Sequence, residues 1–135
     1  MAARTTVTAS RFPLGDVMGD MSENAVAIDQ PNGMRVVVNS KVDRVAIRIT
    51  NTSASTRVVT VKAAPGAGNP RGVYGAAGPG GSFPTEPDYT SVAIPATTGV
   101  RWLAPPNRYF QGSDGSIWLD FVAGHTGTVS AVESA

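Results

Sequence analysis

The chain has no cysteine and a single histidine in 135 residues. The first absence excludes disulfides, thiolate zinc sites and cysteine nucleophiles. The second excludes a multi-histidine metal cage or a histidine relay. Charge is also scarce: Asp, Glu, Lys and Arg make up 16% of a chain in which about 25% is usual. Eleven basic residues against ten acidic ones leave a net charge of +1, without the basic excess of a dedicated nucleic-acid binder. So little charge gives a lone chain thin protection against association and points to a surface that meets other chains. No run approaches the roughly 20 apolar residues of a membrane span. The first twenty residues hold Arg4 and Arg11 among Thr, Ser and Asp, without the apolar stretch of a secretory signal.

What is present is a two-residue rhythm. Val45, Ile47 and Ile49 alternate with Arg44, Ala46, Arg48 and Thr50, so one strand face is apolar and the other wetter. The segment from Asn51 to Ser55 reads as a turn, rich in side chains that bond their own backbone. Arg57 to Ala63 resumes extended structure, with Val59 and Val61 on one side; the two runs are expected to form a hairpin. Asp114-Gly115 is a hairpin turn signal linking Arg108–Gln111 to Ser116–Phe121, where Ile117, Leu119 and Phe121 share a face. Gly124 to Gly127 makes another turn, and Thr128 to Val132 a last strand. Val36–Asn39, Tyr89–Ile94 and Gly99–Leu103 supply three more. About eight short strands and no helical period predict an all-β fold, a small antiparallel β-sandwich or barrel.

Two regions break the rhythm. Residues 1–33 are punctuated by Pro13, Gly15, Gly19, Pro31 and Gly33. They are expected to form an extended N-terminal arm ahead of a β-sandwich domain at 34–135. Within that domain, residues 65–87 form a long Gly/Pro-rich loop, of a length that is usually functional or disordered. Tyr74, Phe83 and Tyr89 lie in it or at its edge, and a plain tether would need none of them, so parts of the loop are expected to dock.

Catalytic patterns do not assemble. His125 sits in a Gly-His-Thr-Gly turn and reads as a turn-surface residue, since a triad base must be held rigidly. Asp114 belongs to the chemistry of its Asp-Gly turn, and Asp120 to the solvent face opposite Leu119 and Phe121. Neither they nor Asp16 and Asp20 read as a catalytic pair. Gly66-Ala67-Gly68-Asn69-Pro70-Arg71-Gly72 imitates a phosphate loop, but Pro70 removes a donor, no helix follows and no lysine closes it. No alternating Asp/Asn run ending in Glu offers a calcium loop. Asn51-Thr52-Ser53 fits a glycosylation triplet but reads as a turn. No metal, cofactor or catalytic residue is assigned.

The remaining signal is aromatic. Trp, Tyr and Arg concentrate binding energy at interfaces, and flat rings on a β-scaffold can also stack on sugars. Alternation points Trp118 away from the Ile117–Leu119–Phe121 face, whereas Trp102, in step with Val100, reads first as core. Lys41 and Lys62 are the only lysines among the eleven basic residues, a bias suited to fixed ion pairs. The candidate interface residues are Phe12, Arg71, Tyr74, Phe83, Tyr89, Arg101, Arg108, Tyr109 and Trp118.

Several stretches together resemble a known family. These are Asn51-Thr52-Ser53 followed by Val58 to Ala64, a Gly/Pro-rich loop, Val92-Ala93-Ile94-Pro95-Ala96, Arg108 to Phe121, and Thr126 to Ala131. In turns and strand alternation, about residues 44–132 resemble the head decoration, or capsid cement, proteins of tailed bacteriophages. That resemblance implies a non-enzymatic virion protein, made in the host cytoplasm and bound to the outer surface of an assembled capsid. It would bridge neighbouring major capsid subunits as a homo-oligomer, often a trimer, without contacting nucleic acid or membrane. Two other readings stay open. One is a carbohydrate-binding β-sandwich with Trp118, Tyr109 and Trp102 as its platform. The other is a tail or head–tail joining protein of a virion.

Overall fold

The computed structural model describes residues 4–11, 25–39, 44–62, 89–91, 93–105, 110–111 and 115–134. The described residues form a sandwich of two mixed β-sheets, all-β and not closed into a barrel. Ten strands are present among them: β1 (Thr5–Thr8), β2 (Ser10–Arg11), β3 (Val26–Ala27), β4 (Met34–Val37), β5 (Val45–Asn51), β6 (Val59–Val61), β7 (Tyr89–Thr90), β8 (Gly99–Leu103), β9 (Ser116–Phe121) and β10 (Thr128–Glu133). The first sheet runs β1-β4-β9-β6-β7 and the second β2-β10-β5-β8, with β3 also paired to β10.

Alternation decides what each strand buries. Along β5, Val45, Ile47, Ile49 and Asn51 are buried and the residues between them are half-exposed. Met34 and Val36 on β4, Val59 and Val61 on β6, and Ile117, Leu119 and Phe121 on β9 do the same from the first sheet. Val129 and Ala131 on β10 and Leu103 on β8 complete the facing layer, and Phe110 and Ile94 fill the core from outside the strands. A period of two on both sheets leaves a single apolar layer between them, as sandwich packing requires.

Three expectations need correction. The predicted hairpin between 44–50 and 57–63 does not form: β5 lies in the second sheet, between β10 and β8, and β6 in the first, between β9 and β7. Asn51 turns the chain over to the other sheet instead of back on itself. The sheets are not purely antiparallel either, since β1 pairs parallel with β4 and β2 parallel with β10. Parallel neighbours cannot be joined by a tight hairpin turn, and in both pairs the two strands lie far apart in sequence. Finally, the boundary expected at residue 33 does not separate an arm from the sandwich. Val7 is 1% exposed within the core, Ala9 donates to the Val37 carbonyl at 2.9 Å, and Ser10–Arg11 continue into the second sheet. One extended segment therefore laces both sheets together along one side. Residues 12–24 of the expected arm and 63–88 around the expected loop lie outside the described residues.

Candidate interaction surfaces

On the outer face of the first sheet, register sets Trp118 opposite Arg35 and Asp120 opposite Thr60. Trp118 is thus outward, as alternation predicts, but its ring is not open. The Arg4 guanidinium lies 4.4 Å from the ring centroid. Its Nη1 is 2.6 Å from Asp120 Oδ1 and donates to the Leu119 carbonyl at 3.0 Å. Lys62 Nζ stands 3.9 Å from the other Asp120 oxygen. This is a cation–π contact backed by an ion pair, and it straps the first strand across β4 onto β9.

Gly33 makes that reach possible. Its φ of +76° suits glycine, and a Cβ there would collide with Arg4 Nη1 and sit 2.9 Å from the Leu119 carbonyl oxygen. The turn before it is fixed by Asp29. Asp29 accepts from Thr5 Oγ1 at 2.6 Å and from Asn32 Nδ2 at 3.2 Å, and its carbonyl accepts from Gly33 N–H at 2.8 Å. The Thr5 hydroxyl first, then Asn32, hold the Asp29 carboxyl below the usual carboxylate range.

The second sheet presents a different surface. Trp102 on β8 is 52% exposed, which corrects the core assignment. Among the described residues β8 is an edge strand, and its inward set is Gly99, Arg101 and Leu103, opposite Asn51, Ile49 and Ile47 of β5. Val100 and Trp102 therefore face outward, opposite Thr50 and Arg48. Arg101 belongs to the core-facing set, yet at the open edge it remains exposed and turns back to donate to the Val100 carbonyl at 2.8 Å. Neither Arg48 nor Arg101 is ion-paired among the described residues.

The two tryptophans thus occupy opposite outer faces of the sandwich, and Trp118 is covered by Arg4. They cannot share a sugar-stacking platform. Of the other candidates, Tyr89 opens β7, where its backbone pairs with Val61. Phe12, Arg71, Tyr74, Phe83, Arg108 and Tyr109 lie outside the described residues.

His125 also needs correction: it is 1% exposed, not at the turn surface. Its Nε2 is 3.1 Å from the Thr50 carbonyl, which assigns the proton to Nε2, and its ring stands edge-on to Phe121 at 5.4 Å. Nδ1 is buried with no partner. Burial, aided by the charge of Arg57, holds its pKa below the ordinary histidine value against the opposing Thr50 hydrogen bond. The imidazole packs the link between β9 and β10. Glu133 is likewise structural, buried and accepting from Asn39 N–H at 2.8 Å.

Among the described residues no group of three His, Cys, Asp or Glu side chains could hold a metal ion. Sequence reading missed Arg4 and Arg48. Arg48 was legible, since it alternates with Ile47 and Ile49. Arg4 was not, because its role depends on β1 lying parallel to β4 and within reach of β9. Comparison with family models, curated proteins and solved structures finds no match.

Proposed function

We propose that this sandwich is a non-enzymatic virion structural protein that binds the outer surface of an assembled phage capsid and bridges neighbouring major capsid subunits. The observation that carries the contact part of this reading is the disposition of its polar chemistry. Asp29, Asp120, His125 and Glu133 are engaged in turns, straps and packing, while Trp102 and Arg101 stand exposed on β8, with the half-buried Arg48 on the neighbouring strand. Such a surface suits adhesion. The capsid as partner follows from the resemblance of residues 44–132 to head decoration proteins.

The physical logic is mass action. A shell pressed outward by packed DNA is weakest at the seams between subunits. A protein that binds across a seam only when the shell is intact shifts the equilibrium toward the intact state. Repetition around symmetry axes, as a trimer or another homo-oligomer, multiplies a modest affinity. A sandwich laced through both sheets by its first strands resists deformation in that position.

Co-sedimentation with preformed, undecorated phage shells tests the reading. Saturable binding that raises the temperature of DNA release supports it. Protein that stays in the supernatant at concentrations well above the site concentration overturns it. Rings of six or twelve copies bound at the tail axis would favour the joining-protein reading.

A further inference from the structure

We infer that the free edge of β8 is a docking site for an extended acidic segment of a partner protein, which adds to the second sheet as a further strand. β8 pairs with β5 on one side and with no strand on the other among the described residues. An unpaired edge is a template for strand addition, in which backbone bonds give affinity and side chains give selectivity. Trp102, at 52% exposure, is the large aromatic that the described surface leaves open. Its position on the outer face of this same edge gives an added strand an apolar contact to cover.

Charge selects the partner. Arg101 stands exposed along the edge, and Arg48 lies opposite Trp102 on the neighbouring strand. Neither has an acidic partner among the described residues. An incoming strand with Asp or Glu at alternate positions would meet Arg101 across the edge, and its apolar residues would cover Trp102 and Val100. A second copy of this chain is a poor occupant. Antiparallel pairing of β8 with β8 of another copy about its middle would bring two Arg101 side chains together, and like charges placed opposite one another destabilise a strand pair. The arginine that blunts self-pairing is the one that favours an acidic visitor.

The edge is also held in shape before a partner arrives. Thr97 adopts a φ of +68° in the preceding turn and its N–H donates to the Ser53 carbonyl at 2.9 Å. A Cβ on Gly99 would collide with the Pro95 carbonyl, so the start of β8 is packed backbone to backbone. Asn51 Nδ2 donates to the Ile94 and Pro95 carbonyls, each at 3.1 Å. A preformed edge spares the binding free energy that ordering it would cost. The inference concerns the chemistry of the partner and holds whichever assembly supplies it. Failure to bind shells would overturn the capsid reading and leave this one standing.

The test uses fluorescence anisotropy with three labelled octapeptides and the full chain. One alternates Glu with Thr and Val, one carries Lys in place of Glu, and one is the acidic peptide with proline at alternate positions. The acidic peptide is expected to bind saturably and at least about tenfold more tightly than the other two. Trp102→Ala should weaken it about tenfold, the loss typical of an aromatic anchor, and Arg101→Glu should transfer the preference to the lysine peptide. Both side chains are exposed, so the variants should unfold at the wild-type temperature, which thermal melts check. Equal binding of the proline peptide would overturn strand addition, because proline cannot donate to the ladder. Binding unaffected by either substitution would overturn the assigned edge. Self-association lost in Trp102→Ala would make a second copy the occupant and overturn the acidic-segment assignment.

Discussion

Replacing Asn51 by aspartate changes one nitrogen to oxygen and nothing in volume, yet it should cost at least as much stability as truncation to alanine. Asn51 is fully buried at the end of β5, where the chain leaves the second sheet for the first. Its Nδ2 donates to the carbonyls of Ser55 at 2.9 Å and of Ile94 and Pro95 at 3.1 Å. Its Oδ1 accepts from Ser53 N–H at 3.0 Å and Ser53 Oγ at 2.5 Å. Alanine removes all of these contacts. The Ser53 groups can turn to water and the Ile94 carbonyl keeps its bond from Arg57 N–H at 3.1 Å, so the cost is the roughly 1 kcal/mol net of each lost bond to the Ser55, Ile94 and Pro95 carbonyls. A loss of about 3 kcal/mol follows for Asn51→Ala, or roughly 10 °C in Tm. Aspartate keeps the Ser53 bonds but turns a carboxylate oxygen toward three carbonyl oxygens and buries a charge without a partner. Urea unfolding followed by tryptophan fluorescence at pH 7 checks the ranking. An aspartate variant within about 0.5 kcal/mol of wild type would refute the argument that amide donation knots the two sheets together.

Further outcomes follow from the same structure. His125 has a folded-state pKa below its unfolded value of about 6.5, so its neutral form is the one that packs. Its contribution is fully present above pH 6.5 and is lost as pH falls through the folded-state value, by up to about 1.4 kcal/mol per pH unit. Urea midpoints should therefore fall between pH 7 and pH 5, and a His125→Gln variant should show a flatter profile. Gly33→Ala should destabilise by more than about 2 kcal/mol, through the strained φ and the collision with the Arg4 strap. Circular dichroism melts would read the loss. Arg4→Ala should cost about 1 kcal/mol and shift part of the tryptophan emission to longer wavelength as Trp118 is uncovered. Deleting residues 1–11 should lower the unfolding temperature, because it removes β1, β2 and the buried Val7. Val7 alone is worth about 2 kcal/mol. An unchanged melt after that deletion would contradict the lacing of the two sheets.

The strand content was legible because alternation is local. β5, β9 and β10 lie where period-two runs of Val, Ile, Leu and Phe placed them, and Gly99–Leu103 is read from sequence with the observed bounds. Partnership was not legible. The turn at Asn51–Ser55 has the composition of a hairpin turn, but what Asn51 bonds to across the sequence sends the chain to the other sheet. The role of residues 4–11 was hidden for a related reason: four residues of Thr and Val look like any extended segment until their partner, β4, is known. Trp102 was misread because alternation gives two faces without saying which is inside. Arg101 on the inward set argued for the wrong face, and only the edge position of β8 explains why a charge is tolerated there. His125 failed in the opposite sense, since a Gly-His-Thr-Gly turn looks exposed until Phe121 and Thr50 are seen to enclose the ring. Of the candidate surface, Trp118 was oriented correctly, but its cover by Arg4 required tertiary structure.

The proposed role of this protein is adhesion to the outside of an assembled shell. Cryo-electron microscopy of shells incubated with the purified chain tests it most directly. Ordered density with the outline of the sandwich is expected on the outer surface, astride contacts between neighbouring capsid subunits and repeated around local symmetry axes. Bare seams at saturating protein, or density confined to the tail axis, would contradict it.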